Sequence, residues 1–455
     1  MKFSHGRHPA SLPSMALVLL AAFLCILWLG GGASRADVLG QALVRGGAAV
    51  VMIAALLTAR RFDVRSALPV VIFLGCAVVL VLVQLLPLPP VVWTILPGRS
   101  HFAFAAEQLA PSYPLSIAPD SSWNAAASLL VPAAVLMLSM ALHRAERSVT
   151  VTLVLAWIAA AMLMGWMQLT GLVVDNPLIN ETPGVASGIF ANRNHFSLFL
   201  ALGCLVAPVW ALRSHELVRW RVTLAIGLVS LFLLTAIASG SRMGILLATL
   251  GTMLSLVIMW RKVRSIMQRY PRWVLPVSLA GVVIVNVGLI VIAAVADRAT
   301  ALNRALNLEV SNDMRSRAML TIYAMIREVF LTGWGYGSFD PAFRMHEPLA
   351  LLKPSYFNHA HNDVLELVLD GGLPALLLLA GVLTWYGVMT VRAWRQSPDQ
   401  STVQARLGSA MLLLILLASI VDYPARTPVI MAVITLAGLW LNWNRRPEDA
   451  ALPPH

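Results

Sequence analysis

The sequence predicts an all-α polytopic membrane protein with about 12 transmembrane helices and one large loop on the outer side of the membrane. Of the 455 residues, 59% are hydrophobic and only 12% are charged, and the mean hydropathy is +0.78. A soluble protein carries roughly 25% charged residues, so this chain has too few to cover a surface that faces water. Apolar runs recur along the chain, and most Lys and Arg residues fall in short segments between them.

Each predicted transmembrane helix corresponds to an apolar run of roughly 20 residues. The runs lie at 15–33, 38–59, 66–86, 123–142, 149–171, 194–212, 220–239, 243–260, 273–296, 364–391, 407–421 and 428–443. We interpret the first run as a retained helix, because it is long for the apolar region of a cleaved signal. The three cysteines lie inside these runs without paired spacing, which predicts small buried side chains and neither a disulfide nor a zinc site.

The basic residues alternate between connecting segments. They are concentrated in the segments near 60–65, 213–221 and 261–272 and close to both ends of the chain. The positive-inside rule then places those segments and both termini in the cytoplasm. Topology therefore accounts for the net charge of +12, and we predict no nucleic-acid partner. Three long segments fall on the outer side: 87–122, 172–193 and 297–363.

The outer segments differ in character. The segment 87–122 is rich in proline and is predicted to lack regular structure. Within the third segment, apolar residues at helical spacing over 311–331 predict an amphipathic helix that lies on or near the membrane. The motif GWGYGSF at 333–339 follows, and its three glycines are expected to end the helix and allow close backbone approach.

Four groups of polar residues on the outer side are candidates for a functional site. They are Asn192, Arg193, Asn194 and His195 at the start of one run; Ser239, Ser241 and Arg242 in a short turn between two runs; Arg315 and Arg317 in the amphipathic helix; and His359, His361, Asp363, Glu366 and Asp370 just before another run. Ionisable groups at the edge of a membrane helix are costly, which makes a functional role the first hypothesis.

The arginines indicate recognition of phosphate, because a guanidinium group matches phosphate oxygens and stays charged at low dielectric. For Arg242 a contact with lipid headgroups is an equal alternative, and for Arg315 the alternative is a solvated helix face. His361 beside carboxylates is typical of a general base, although a capping or core histidine remains open. Asp422, in SIVDYPARTPVI, has a catalytic role or a structural ion pair with Arg426 as its two interpretations.

No cofactor is predicted. His359 and His361 lack the i, i+4 spacing of a helical zinc pair, and no aspartate-rich motif is present to bind a cation. The sequence also contains no P-loop, and no GxGxxG motif follows a strand, so nucleotide use is not expected.

The motifs SGSRMG (239–244), DMRSRAML (313–320), GWGYGSF, HNDVLELVLDGG (361–372) and SIVDYP (419–424) resemble the bacterial O-antigen ligase family, whose superfamily includes O-antigen polymerases and protein O-oligosaccharyltransferases. The resemblance runs from about 188 to 428. It implies a GT-C-like fold with N-terminal transmembrane helices and the proline-rich outer loop at 1–187. A catalytic transmembrane region would follow at 188–443, including the periplasmic loop 297–363, and then a cytoplasmic tail at 444–455.

The resemblance implies transfer of a glycan from undecaprenyl diphosphate to an acceptor hydroxyl on the periplasmic face of the bacterial inner membrane, without metal or nucleotide. Arg242 and Arg315 would hold the diphosphate and stabilise the charge on the leaving group. His361 would accept the proton of the acceptor. Arg317 is an alternative to Arg315, because the sequence RSR leaves the register ambiguous. The family often has an aromatic residue four positions after the loop arginine, and this chain has Met319 four positions after Arg315.

The remaining candidates are expected to support these three residues. Asn192, Arg193, Asn194, Ser241 and Arg317 are expected to bind substrate, and Asp363 and Glu366 are expected to orient His361. The acceptor stays open between a lipid A core sugar, the end of another glycan and a protein hydroxyl. A flippase for lipid-linked oligosaccharides is the alternative of another class, but the spans carry few charges and the candidate residues share one side, which favours an enzyme.

Overall fold

A computed structural model gives the structure of the protein. It describes residues 12–102, 112–172, 176–180, 185–213, 219–269, 271–273, 311–352, 357–397 and 399–443, together with six positions between 277 and 291. The side chains of 311–317 are outside this description, and so is the predicted cytoplasmic tail.

The described part of the chain is mostly helical, as the hydropathy predicted. Its helices are α1 (Met15–Gly30), α2 (Leu39–Thr58), α3 (Leu68–Val83), α4 (Pro90–Thr94), α5 (Pro119–Ser128), α6 (Leu130–Ala141), α7 (Val149–Leu169), α8 (Arg193–Leu212), α9 (Arg219–Ala238), α10 (Arg242–Ile258), α11 (Trp260–Met267), α12 (Ser311–Val329), α13 (Phe339–His346), α14 (Asp363–Arg395), α15 (Gln400–Ser419) and α16 (Pro428–Asn442). Two short strands, β1 (Pro87–Leu88) and β2 (Tyr113–Pro114), pair antiparallel.

Eight helical segments in the described part of the chain are long and apolar enough to cross a membrane. They are Leu39–Thr58, Val64–Val83, Pro119–Ala141, Glu146–Leu169, Arg193–Leu212, Arg219–Ala238, Asp363–Arg395 and Ser401–Ser419. The pair α10 and α11 is bent by 70° and makes a ninth if it is one span, while α1 and α16 are shorter apolar helices. The chain is therefore a multi-pass membrane protein. Because the predicted span at 273–296 lies mostly outside the described residues, the count of about 12 stays a prediction.

Helix α8 lies at the centre of the bundle, and every residue from His195 to Ala207 is buried. It packs closely against α10 because two glycines of α10 face it. A Cβ atom at Gly244 would lie only 2.1 Å from Cβ of Ser197, and one at Gly251 would lie 2.8 Å from the carbonyl oxygen of Ala201. Small residues at a helix–helix contact allow such close approach in membrane proteins. Gly244, the second glycine of SGSRMG, thereby brings the turn before α10 against the start of α8.

Helix α14 is broken at Gly372, whose φ of 61° and ψ of −152° are not helical. The break frees backbone carbonyls, and the GWGYGSF loop satisfies two of them. The amide of Trp334 donates to the carbonyl of Leu369 at 2.9 Å, and that of Gly335 donates to Asp370 at 2.9 Å. The predicted amphipathic helix is confirmed as α12, and the glycine-rich motif ends it and approaches α14 as predicted.

The prediction that 87–122 lacks regular structure is wrong. The described part of this segment contains β1, α4, β2 and the start of α5. Proline is tolerated at the first position of a helix, where its missing N–H would have no intrahelical partner. Pro90 and Pro119 occupy that position in α4 and α5, so these prolines start helices here.

Candidate active site

Helices α8, α10 and α14 all begin at one end of the bundle. Their N-cap residues are Asn192, Ser241 and Asn362, and each side-chain oxygen accepts a hydrogen bond from a backbone N–H of its own first turn at 2.8–3.2 Å. These caps satisfy amides that have no partner inside the helix. Asn362 also donates to the carbonyl of Ile420 at 2.7 Å, which joins the start of α14 to the turn after α15. The positive ends of three helix dipoles therefore lie at this surface.

Asp422 is a fully buried carboxylate in that turn. Asn194 donates to its Oδ2 atom at 2.8 Å, and its Oδ1 atom lies 3.7 Å from Nε2 of His195 and 3.6 Å from Nδ1 of His361. Burial raises the pKa of Asp422, but the side chains of His195, His361 and Asn194 outweigh that effect and hold the pKa well below its usual range. Asp422 is therefore an ionised carboxylate that faces two imidazoles.

His361 is held in an uncommon backbone conformation beside this carboxylate. Its φ of 53° lies in the left-handed region, which costs a non-glycine residue on the order of 1–3 kcal/mol. The ring packs edge-on against Tyr423, with centroids 5.0 Å apart. Nδ1 of His361 is buried and lies 3.6 Å from Oδ1 of Asp422, which is longer than a hydrogen bond, and it has no hydrogen-bond partner among the described residues. Nε2 is on the opposite side of the ring, and 20% of the side chain is exposed. This arrangement is typical of a general base oriented by a carboxylate.

His359 has a different environment. Its Nδ1 lies 2.8 Å from Oε1 of Glu366, and its Nε2 lies 3.2 Å from the hydroxyl of Ser34. Both ring nitrogens therefore have protein partners, whereas His361 has a nitrogen that faces away from its carboxylate. The geometry favours His361 over His359 for proton transfer, in agreement with the choice that the family resemblance implied.

The two carboxylates expected to orient His361 have other partners. Glu366 contacts His359, and Asp363 accepts hydrogen bonds from the hydroxyl of Ser419 at 2.8 Å and the amide of Ala425 at 3.1 Å. The residue that faces His361 is Asp422. The physical reason is that α14 begins only at Asp363. His361 precedes the helix, so helical spacing does not set its neighbours.

Arg426 binds the carboxylates of α14, so of the two interpretations of Asp422 the ion pair with Arg426 is wrong. Its guanidinium nitrogens lie 3.7 Å from Asp363, 3.1 Å from Glu366 and 3.4 Å from Asp370. Burial lowers the pKa of Arg426, but the three carboxylates, with Glu366 first, raise it above its usual range. This ion cluster fixes the turn that carries Asp422 against the first turns of α14.

The candidate arginines are placed unequally. Arg193 and Arg242 are exposed at the first positions of α8 and α10, and Nη1 of Arg193 would lie 3.5 Å from a Cβ atom at Gly240. Ser241, next to Arg242, donates to Oδ1 of Asn194 at 2.9 Å. The structure thus brings both arginines close to the residues that contact Asp422. The side chains of Arg315 and Arg317 lie outside the described residues, although both positions are in α12.

Two residues of the site received no role from the sequence. His195 contacts Asp422, and Tyr423 packs against His195, His359 and His361 with ring centroids 5.1, 4.3 and 5.0 Å apart. Burial, with Asp422 next, raises the pKa of Tyr423 to about 12, so its hydroxyl is neutral. The available signals were the position of His195 at the start of one apolar run, beside Asn194, and of Tyr423 just after the end of another, beside Asp422.

No curated protein matches the chain. Residues 226–380, about a third of the chain, match the family model described as O-antigen ligase. The match includes Arg242, Arg315, Arg317 and His361, whereas Asn192 and Asp422 lie outside it. This match over residues 226–380 confirms the resemblance to the O-antigen ligase family that the sequence motifs predicted.

Proposed function

We propose that the protein is a glycosyltransferase that moves a glycan from undecaprenyl diphosphate to an acceptor hydroxyl on the periplasmic face of the bacterial inner membrane. The match of residues 226–380 to the O-antigen ligase family model supports a membrane enzyme of the ligase or polymerase type. The observation that carries the finer proposal is the distance of 3.6 Å between Nδ1 of His361 and the buried carboxylate of Asp422. This pair forms a general base at the end of the bundle where Arg193 and Arg242 lie.

In the proposed reaction the acceptor oxygen attacks the anomeric carbon of the donor sugar, and Nε2 of His361 accepts the hydroxyl proton. Asp422 stabilises the imidazolium that forms, because opposite charges at this separation attract strongly in a buried site. The bond between the anomeric carbon and the phosphate oxygen breaks, and its electron pair leaves with undecaprenyl diphosphate. Each charge that develops during the step then has a protein partner.

The diphosphate is assigned to the arginines. Arg242, with Arg315 or Arg317 from α12, would bind its oxygens and stabilise the negative charge that grows as the bond breaks. Arg193, Asn192, Asn194 and Ser241 would complete this side of the site. The starts of α8 and α10 support the assignment, because helix N-termini favour anions. The proposed reaction uses no metal and no nucleotide.

Three versions of this proposal differ in the acceptor of the glycan. Transfer to a lipid A core sugar would make the protein an O-antigen ligase, which is the version we put first. Transfer to another glycan chain would make it a polymerase, and transfer to a protein would make it an O-oligosaccharyltransferase. A flippase is the alternative of another class, and the buried Asp422–His361 pair at one end of the bundle favours a reaction over transport.

Alanine variants of Arg242, Arg315 and His361 in the native host test the proposal. We expect each variant to accumulate in the membrane but to lose glycan transfer, which is measured by gel and mass spectrometry of surface polysaccharide. The matched controls are Arg264→Ala and His143→Ala, which change exposed residues elsewhere and should retain transfer. Normal polysaccharide in all three site variants would contradict the assignment.

A deletion strain identifies the acceptor. Retention of full-length carrier-linked polymer with uncapped lipopolysaccharide indicates a ligase, and accumulation of single repeats indicates a polymerase. Loss of glycosylated proteins indicates a protein glycosyltransferase. Undecaprenyl-linked glycan trapped on the cytoplasmic face, with transfer intact once it is delivered, would indicate the flippase.

A further inference from the structure

A cavity of about 160 Å³ lies beside the Asp422–His361 pair. Polar side chains on its lining are Ser34, Asn180, Asn192, His195, Asn358 and Tyr423. Ser34 comes from the connection between α1 and α2, and Asn180 comes from the connection between α7 and α8. The cavity is therefore built by the first part of the chain together with the residues around the candidate base.

The cavity shares three residues with the surroundings of that base. Asn192 and His195 both approach Asp422, with Nδ2 of Asn192 at 3.4 Å and Nε2 of His195 at 3.7 Å from its oxygens. The ring of Tyr423 lines the cavity and packs 5.0 Å from the ring of His361. A molecule in this cavity would contact residues that themselves contact Asp422 and His361.

The lining has the chemistry of a sugar site. Its amides and hydroxyls can donate and accept hydrogen bonds, and Tyr423 adds an aromatic face. Among the described residues, Arg35 is the one Lys or Arg side chain on the lining, and it is paired with Asp37. A cavity of about 150 Å³ holds a six-membered ring such as benzene, so a cavity of about 160 Å³ suits one sugar ring.

His195 supplies an independent observation. The residue is 1% exposed, and its Nδ1 atom is buried without a hydrogen-bond partner among the described residues. A buried polar atom of this kind is uncommon and calls for an explanation such as a ligand or water. Because His195 lines the cavity, a bound hydroxyl group is the simplest partner for this imidazole.

We propose that this cavity binds one uncharged sugar ring next to the bond that reacts. The proposal rests on the proposed function and adds a specificity site to it. The sugar comes either from the donor, as the residue attached to the diphosphate, or from the acceptor, as the residue whose hydroxyl attacks. Since Ser34 and Asn180 lie outside 226–380, the N-terminal part of the chain contributes to the choice of sugar.

Asn180→Trp tests the cavity directly, because Asn180 is exposed at its rim and an indole would close it. Leu172→Trp is the matched control, since it adds the same ring at a residue that is 75% exposed in the same connection and is not on the lining. Saturation-transfer NMR of the purified protein would use the methyl pyranosides of glucose, galactose, mannose and N-acetylglucosamine. We expect saturation transfer to at least one of them, which Asn180→Trp removes and Leu172→Trp retains.

Absence of saturation transfer to every glycoside, or equal signals from both variants, would overturn the proposal. Asn180→Ala serves as a second variant and should weaken the signal without adding bulk. With donor and acceptor extracted from the host, a higher KM for the acceptor in Asn180→Ala assigns the sugar to the acceptor, and a higher KM for the donor assigns it to the donor. His361→Ala should abolish transfer but keep glycoside binding, so failure of the sugar site is distinguishable from failure of the proposed function.

Discussion

Replacing Asp422 with asparagine removes the charge that faces His361 and preserves the shape of the side chain. The carboxylate is buried, and its Oδ1 atom lies 3.6 Å from Nδ1 of His361. In the proposed reaction this charge acts mainly after His361 has taken the proton. The side-chain amide that Asp422→Asn introduces can also donate an N–H toward Nδ1, which would favour the tautomer that carries its proton on Nε2 and cannot act as the base.

The size of the effect follows from the distance. Two unit charges about 4 Å apart attract with about 4 kcal/mol at an effective dielectric constant of about 20, and about 1.4 kcal/mol changes a rate tenfold. We therefore expect Asp422→Asn to lower kcat by about 10²–10³-fold, within the range for general acid–base catalysis. KM should change little, because the imidazolium forms only on the way to the transition state.

Transfer by purified protein in lipid vesicles, with donor and acceptor extracted from the host, measures kcat and KM separately. Asp340→Asn is the matched control and should keep the wild-type rate. Asp340 forms an ion pair of 2.8 Å with the exposed Arg344, and this pair lies away from the candidate base. A wild-type kcat for Asp422→Asn, or a change confined to KM, would refute the assignment of Asp422 to the base.

Three further experiments test the buried polar contacts around the site. Because the pKa of Asp422 is held below its usual range, its carboxylate stabilises the fold above about pH 4, and this contribution is lost as the pH falls further. The Tm difference between wild type and Asp422→Asn should therefore shrink on acidification. A constant Tm difference from pH 7 to pH 3 would contradict this. Gln84 donates to the carbonyl of Asp370 at 2.9 Å and accepts from the amide of Tyr336 at 2.8 Å, so Gln84→Ala should cost about 2–4 kcal/mol of unfolding free energy. Gln84→Met, which keeps the length of the side chain but neither hydrogen bond, should also lower the Tm, and a wild-type Tm for Gln84→Met would count against the paired bonds. Arg426→Met leaves the three carboxylates of α14 without their cation and should lower the free energy of unfolding by about 3–5 kcal/mol. We expect poor accumulation of this variant and a largely restored level for Arg426→Lys. Equal accumulation of the two variants would argue against the ion cluster.

Much of the fold was predictable because its determinants are local. Apolar runs of sufficient length specify spanning helices wherever water is absent, and the described helices follow those runs. Asp363, Glu366 and Asp370 were expected just before an apolar run, and they lie in the first turns of α14. The break at Gly372 was predictable for the same reason, since it depends on two adjacent glycines.

The partner of His361 was not predictable from local spacing. Asp363 and Glu366 are near His361 in sequence, but a residue with a φ of 53° that precedes the helix does not share the periodicity of that helix. Asp422 reaches His361 only because α14 and α15 run side by side and the chain turns at Tyr423. Such a contact depends on the packing of distant segments, and a single sequence holds no direct signal for it.

The DYPAR sequence at 422–426 separates two charge systems that have to stay apart. The short 3₁₀ turn Pro424–Arg426 directs the aspartate toward His195 and His361 and the arginine toward Asp363, Glu366 and Asp370. If Arg426 paired with Asp422, the guanidinium would neutralise the carboxylate that the proposed imidazolium needs. The three carboxylates of α14 hold the arginine away from Asp422, so their contribution to the proposed reaction is electrostatic and indirect.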